Sequence, residues 1–169
     1  MMKKLLLFTL ILCHACMPHP IKTYEQGLEN CHKIVAAKMK ENPSGFLFPV
    51  AACLIGYQLP VFETKDINGN TINKEDLKGK LSIINFWFMS CPPCVAEIPG
   101  FNKIVEKYGK DQINFLAIGK DGPQDITDFI KDHPWQFDQI ADGTKLIEET
   151  FKSRWGYPTT FLVNEETEI

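Results

Sequence analysis

The sequence has no concentration of positive charge. Its 18 lysine and arginine residues are outnumbered by 21 aspartate and glutamate residues, which gives a formal net charge of −3. No basic cluster is interleaved with aromatic side chains, so the chain offers no basic field to a polyanion and we expect no nucleic-acid partner. The sequence also lacks internal repeats and low-complexity tracts. Its 169 residues suit one packed domain preceded by a leader.

The N-terminal apolar run is too short to cross a membrane. Lys3 and Lys4 precede the apolar residues 5–12, and Ala15 stands before Cys16. This order is typical of a signal peptide, so we predict that residues 1–15 direct export to the periplasm. Ordinary signal cleavage and lipoprotein processing would cut at the same bond, between Ala15 and Cys16. We expect lipoprotein processing, which would leave a lipid anchor on Cys16.

The sequence lacks a second pair of metal ligands. Cys91 and Cys94 form a Cys-x-x-Cys pair, and only His133 follows them. A structural zinc site needs four ligands at suitable spacing, so we expect no metal here. A purely structural disulfide is also disfavoured, because closing so short a loop constrains little chain entropy. The pair is therefore predicted to be a redox-active disulfide that needs no separate cofactor.

The position of this pair favours thiol chemistry. The apolar strand at residues 81–88 runs directly into Cys91 at the start of a predicted helix. The first helical N–H groups are unpaired and carry positive partial charge, so a Cys91 thiolate would be stabilised there. Cys94 lies one turn further in, where it could attack a mixed disulfide formed by Cys91. Pro92 and Pro93 are tolerated because the first turn has no N–H bonds to lose.

The other cysteines suggest a second pair. If Cys13 leaves with the signal peptide and Cys16 carries lipid, an even set of four cysteines remains. A bridge between Cys31 and Cys53 could contribute roughly 3–4 kcal/mol by the chain-entropy model. Two buried free thiols explain the same residues equally well. The sequence leaves this pairing open.

Hydrophobic periodicity predicts strands that alternate with helices. The predicted elements are a helix over residues 24–40, a hairpin over 61–72 with an Asn68-Gly69 turn, buried strands over 81–88 and 113–118, helices over 91–108, 125–132 and 144–155, and a strand over 160–163. This alternation is typical of an α/β layer fold with the cysteine pair at the carboxyl end of a central strand. We expect residues 16–55 to form an N-terminal extension with a short helix and residues 56–169 to form the main domain.

Several motifs occur together in the main domain. They are Asn85-Phe86-Trp87, Cys91-Pro92-Pro93-Cys94, Glu97, Pro99 and Gly156-Tyr157-Pro158-Thr159. In this combination the chain resembles the exported thioredoxin-like thiol-disulfide oxidoreductases of the TlpA/ResA type. The resemblance implies a thioredoxin-like fold, a central mixed sheet flanked by helices. It also implies that Cys91 attacks, that Cys94 resolves, and that a cis Tyr157–Pro158 peptide lies against the disulfide and offers backbone to an extended substrate.

We predict that Trp87, Pro92, Pro93, Tyr157 and Pro158 contact substrate. Cytoplasmic thioredoxins have a buried aspartate six residues before the first cysteine, whereas this chain has an asparagine at that position. An asparagine cannot exchange a proton with the resolving thiol. Similar exported relatives carry a glutamate three residues after the second cysteine.

The carboxyl group of Glu97, one helical turn after Cys94, is therefore the candidate for proton handling. The alternative is an ordinary solvated helix residue.

Ser90 is a candidate helix cap. Phe88 stands where a peroxidase of the peroxiredoxin kind would have threonine, which disfavours peroxidase activity. Because thioredoxin-like domains continue with one more strand and a helix, we expect the fold here to lack those last two elements.

The main prediction is a periplasmic enzyme that reduces protein disulfides. Pro92 and Pro93 supply neither a positive charge nor a free N–H, so the thiolate is not stabilised as heavily as in strong oxidants. Apocytochromes are candidate substrates, and a membrane thiol donor would recharge the enzyme. The alternative is a non-enzymatic module that delivers copper, with the two thiolates as soft ligands.

Overall fold

The computed structural model describes residues 20–42 and 51–169. The predicted signal peptide, the candidate lipidation site Cys16 and the connector at residues 43–50 lie outside the described residues. After an N-terminal helix and a hairpin, strands and helices alternate along the described chain. They are α1 (Tyr24–Glu41), β1 (Glu63–Lys65), β2 (Thr71–Asn73), β3 (Leu81–Trp87), α2 (Pro92–Tyr108), β4 (Ile113–Gly119), α3 (Pro123–Asp132), β5 (Asp138–Ile140) and β6 (Thr159–Val163).

The main sheet has the strand order β5-β4-β3-β6. Its first three strands are parallel, and β6 runs antiparallel to β3. The separate hairpin of β1 and β2 turns at Asn68-Gly69, and Gly69 has a φ of +86° that favours glycine. This mixed sheet flanked by helices confirms the predicted thioredoxin-like α/β fold.

Strand β3 is the centre of the molecule. Every residue of β3 after Leu81 is buried, because β4 and β6 cover its two edges and side chains cover both its faces. Ile84 and Phe86 pack into the core on one face. Ile83 and Trp87 pack into the core on the other face. The alternation of side chains along β3 therefore separates two cores.

Helix α2 covers the second of these cores. It begins with Pro92 and Pro93 and ends at Gly109, whose φ of +74° places it in the region that favours glycine. Its buried side chains, Cys94, Ile98 and Val105, lie along one stripe and pack in the same core as Trp87. Since the chain turns back between β3 and α2, the start of α2 lies over the end of β3.

Helix α1 packs against the first core. Thr23 caps it and exchanges hydrogen bonds with Gln26 in a capping box. The Tyr24 hydroxyl donates a 2.6 Å hydrogen bond to the carbonyl oxygen of Phe151. Cys31 is joined by a disulfide to Cys53 in the short 3-10 helix Ala51–Leu54, with an S–S distance of 1.92 Å. The N-terminal helix is thus joined by a covalent bond to the 3-10 helix just before the main domain, and by a buried hydrogen bond to the main domain itself.

The predicted helix over residues 144–155 is wrong in length. The helical segment continues only through a π-helical turn, Leu146–Thr150. Lys152 then adopts a φ of +46°, and the Ser153 N–H bonds the carbonyl oxygen of Ile147, which closes the segment. Strand β6 is an outer strand of the described sheet, and its Leu162 is 68 % exposed.

Candidate active site

Cys91 and Cys94 form a disulfide at the junction of β3 and α2. Their sulfur atoms are 2.05 Å apart, and the Cys91 N–H bonds the carbonyl oxygen of Phe88 at 3.1 Å. Cys91 is itself the N-cap of α2, so the expectation that Ser90 caps this helix is wrong. Ser90 is exposed to solvent instead. The junction therefore places the reactive pair at the positive end of the helix.

Both cysteines are buried in the disulfide form. Cys91 is 3 % exposed and Cys94 is 1 % exposed, whereas the intervening Pro92 and Pro93 are exposed. Exposure therefore does not distinguish the two cysteines in this form. Because Pro92 and Pro93 are exposed, a substrate can reach them, as their predicted contact requires.

One helix amide faces the first sulfur. The Cys94 N–H donates to Cys91 Sγ at 3.3 Å. Pro92 and Pro93 have no N–H, so Cys94 carries the first free amide of α2. When the disulfide opens, this amide stabilises a Cys91 thiolate by a charge-assisted hydrogen bond.

Trp87 supports the site from within the core. Its side chain is fully buried and packs against Trp135 and Phe129, at ring-centroid distances of 4.8 and 5.4 Å. A buried ring cannot contact a protein substrate, so the predicted substrate contact of Trp87 is wrong for this form. The apolar residues 81–88 gave no signal that would separate a surface tryptophan from a buried one.

The loop before Cys91 is held by a residue that the sequence reasoning missed. Asp121 Oδ2 accepts a 2.7 Å hydrogen bond from the Met89 N–H. Asp121 follows β4, the parallel neighbour of β3, and parallel neighbours end at the same edge of a sheet. An acidic residue just after a buried parallel strand was the available signal.

The cis peptide bond lies between Tyr157 and Pro158. The Tyr157 ring meets the edge of Phe88 at a centroid distance of 5.3 Å, which brings the cis-proline loop against the loop that leads to Cys91. Lys120 Nζ lies 5.6 Å from the centre of the Tyr157 ring. Burial raises the pKa of Tyr157, so the phenol remains neutral. Tyr157 and Pro158 are half-buried and thus reachable.

Glu97 lies on α2, one turn beyond Cys94, and its side chain is exposed. Partial desolvation raises the pKa of its carboxyl group above the usual value. This direction suits a group that exchanges protons with a thiol.

Two further observations concern metal binding and membrane insertion. Among residues 20–42 and 51–169 there is no group of three or more histidine, cysteine, aspartate or glutamate side chains that could hold a metal ion. No helix in the same ranges combines the length and apolar character that a membrane crossing requires.

Comparisons with known proteins agree with this geometry. Residues 55–169 match the model of the AhpC/TSA family. The thiol-disulfide oxidoreductase ResA of Bacillus cereus is 32 % identical over 127 residues, covering 74 % of this chain and 72 % of that protein. The sporulation thiol-disulfide oxidoreductase A of Bacillus subtilis is 30 % identical over 113 residues, covering 64 % of this chain and 67 % of that protein.

A solved structure shows the same fold. It is the thioredoxin domain of a thiol-disulfide oxidoreductase from Bacteroides vulgatus, with a TM-score of 0.60 and 24 % identity, covering 68 % of this chain and 84 % of that one. At that identity the likeness concerns the fold alone. Together with the family match and the ResA relatives, it shows that the chain belongs to the AhpC/TSA family and is a thioredoxin-like thiol-disulfide oxidoreductase of the TlpA/ResA type.

Proposed function

We propose that this protein is an exported protein-disulfide reductase in which Cys91 attacks and Cys94 resolves. The observation that carries the proposal is the Cys91–Cys94 disulfide at the start of α2, with the cis Tyr157–Pro158 loop packed against the same segment. The exchange needs only the two cysteines and no separate cofactor.

The proposed cycle begins with the reduced pair. The Cys91 thiolate attacks one sulfur of a substrate disulfide, forms a mixed disulfide and releases the other substrate sulfur as a thiolate. The Cys94 thiolate then attacks Cys91 Sγ, which forms the Cys91–Cys94 bond and releases the second substrate sulfur. Two electrons pass to the substrate, whose two thiolates take up protons.

The start of α2 supports the reducing direction. A strong oxidant stabilises its attacking thiolate heavily, which makes the reduced form favourable. Here Pro92 and Pro93 remove two N–H donors from the first turn, and the hydrogen bond that Cys91 Sγ accepts comes from the Cys94 N–H. The thiolate is therefore stabilised less, and the dithiol gives up its electrons more readily.

Glu97 is the proposed proton acceptor for the resolving step. Cys94 must lose a proton before it attacks the mixed disulfide, and Asn85 cannot take it. Glu97 lies one turn away along α2, and its raised pKa brings the carboxyl group closer to the thiol range.

The proposed substrates are protein disulfides presented by extended chains. The rim of the site combines exposed Pro92 and Pro93 with half-buried Phe88 and Met89, an apolar surface that suits unfolded polypeptide. Apocytochromes are proposed as one such substrate, and a membrane thiol donor is proposed to restore the dithiol. Export by the signal peptide and a lipid on Cys16 would hold the enzyme in the periplasm beside that donor.

The reduction potential of the Cys91–Cys94 couple tests the proposal. Equilibration of the purified protein with defined dithiol buffers should give a potential below about −200 mV, in the range of reductases and well below the ~ −120 mV of a strong oxidant. A value near the oxidant end would overturn the reducing direction. Stoichiometric retention of Cu(I) without turnover of dithiol electrons would support the copper-delivery alternative.

A further inference from the structure

Asn85 holds a buried amide that is only half satisfied. The residue is 1 % exposed, and its Nδ2 donates a 2.9 Å hydrogen bond to Thr160 Oγ1 on β6. Its Oδ1 is fully buried and has no hydrogen-bond donor within reach among the described residues. An unpaired acceptor of this kind is costly, so native proteins rarely keep one without a use.

The position of this amide relates it to Cys94. Side chains alternate along β3, so Asn85 lies on the face that carries Ile83 and Trp87. Helix α2 covers that face, and Cys94 packs in the same core as Trp87. Because α2 runs back from the carboxyl end of β3, we expect its first buried side chain, Cys94, to lie near the stretch of β3 that contains Asn85.

We propose that Asn85 is a positioning residue that binds the Cys94 sulfur when the disulfide opens. This inference rests on the thiol-disulfide exchange proposed above. Reduction breaks the Cys91–Cys94 bond, adds two electrons from a donor dithiol that itself becomes a disulfide, and adds two protons. Cys94 then carries an S–H donor that the disulfide lacks, and Asn85 Oδ1 accepts its hydrogen bond.

Thr160 allows the Asn85 amide to pair with Cys94 whether or not the Cys94 sulfur carries a proton. A hydroxyl group can donate or accept, so it can pair with either end of the Asn85 amide. With Nδ2 on Thr160, Oδ1 faces a Cys94 thiol. With Oδ1 on Thr160, Nδ2 faces a Cys94 thiolate as a donor. Asn85 thus serves both protonation states of Cys94 without titrating.

The consequence is a redox-linked hydrogen bond. The disulfide form leaves Oδ1 unpaired, whereas the dithiol form pairs it. Asn85 therefore favours the dithiol, and its removal should favour the disulfide. The shift is a difference between two proteins, so it can be measured whichever direction the electrons flow in the cell.

The test is the equilibrium of the purified protein with a dithiol buffer. Asn85→Leu should move the equilibrium about tenfold toward the disulfide, which is a potential about 30 mV lower for this two-electron couple. Thr160→Ser keeps the hydroxyl and should match the wild type. If Asn85→Leu does not fold, Asn85→Ala, which needs no extra room, should move the equilibrium in the same direction.

Ser82→Ala is the matched control. Ser82 is also buried on β3, on the opposite face and near the other end, where it accepts a 3.0 Å hydrogen bond from Asn114. This control should lose stability and keep the wild-type potential. The inference is overturned if an Asn85 variant folds and its disulfide–dithiol equilibrium constant stays within about threefold of the wild-type value. A water molecule bound to Oδ1 in both redox states would give that result.

Discussion

Cys91 and Cys94 differ little in exposure, so their predicted division of labour depends on where each lies along α2. Cys91 is the cap residue and joins a surface loop, whereas Cys94 is inside the helix and packs against Ile98. A partner can reach Cys91 by displacing that loop and the exposed prolines. To reach Cys94 it would have to open the helix.

The first prediction concerns trapping of substrates. Cys94→Ser should accumulate mixed disulfides with substrate proteins, because the attack by Cys91 remains and the resolving step is lost. Cys91→Ser should trap little. Non-reducing electrophoresis after rapid alkylation compares the two variants. Equal trapping by both would contradict the assignment of the attacking sulfur.

A second prediction concerns pH. Above its raised pKa, the Glu97 carboxylate is an anion near the pair and disfavours a Cys91 thiolate. Glu97→Gln should therefore let the thiolate form at lower pH, while release of mixed disulfides slows by ~10-fold or more. Alkylation rates against pH and single-turnover release measure the two effects.

Glu106→Gln is the control for that experiment, since Glu106 is exposed on the same helix but lies further from the pair. It should leave both profiles unchanged. If the profile of Glu97→Gln also overlays that of the wild type, Glu97 is an ordinary surface residue.

At the scale of helices and strands, elements that carry an apolar period or a turn signal could be predicted, and a strand with neither could not. Strand β3 and helix α2 each carry an apolar pattern of the right period over a full element, so the sequence predicted both. Strand β5 has only three residues, Asp138–Ile140, and owes its conformation to pairing with β4. Local sequence carries no signal for a strand of that kind.

The candidate site shows the same limit. The sequence predicted the cysteine pair and the cis proline, because a motif identifies them. It misplaced Trp87 and missed Asp121, because each depends on a contact between distant segments. Exposure and long-range hydrogen bonds are properties of packing, which periodicity does not encode.

The third prediction belongs to α1. Replacing both Cys31 and Cys53 with serine removes the bridge across 22 positions of sequence and should lower the free energy of unfolding by roughly 3–4 kcal/mol. Denaturant titration measures the loss. The reduction potential of the distant Cys91–Cys94 pair should stay the same. A loss below about 1 kcal/mol would show that packing of Tyr24 and Gly27 holds α1 without the bridge.

At the scale of the whole molecule, the reactive pair and an apolar cavity lie at opposite ends of the sheet. The cavity, of about 790 Å³, is lined by the start of β3, the end of α2 and the end of β6, including Leu81, Tyr108 and Leu162. The disulfide lies instead at the carboxyl end of β3, where α2 begins. Exchange with a polypeptide proceeds by attack of one sulfur atom on another and needs no deep pocket.

The fourth prediction concerns the place of the molecule in the cell. If Cys16 is lipidated, the wild-type protein should fractionate with membranes, and Cys16→Ala should change its processing and release it. Fractionation with a mass measurement of the mature N-terminus decides the question. Wild-type protein found wholly in the soluble periplasmic fraction would remove the anchor.

The Cys31–Cys53 bridge must persist in a protein that is proposed to reduce disulfides. A disulfide reductase that works among many copies of itself could also reduce the structural disulfide of a neighbouring copy. Cys31 is 5 % exposed and Cys53 is half-buried, whereas Cys91 and Cys94 are 3 % and 1 % exposed, so exposure does not distinguish the lasting bridge from the reactive one. Position separates the two: Cys91 caps α2, where the Cys94 amide stabilises a thiolate and favours opening of the bond, whereas Cys31 lies inside α1.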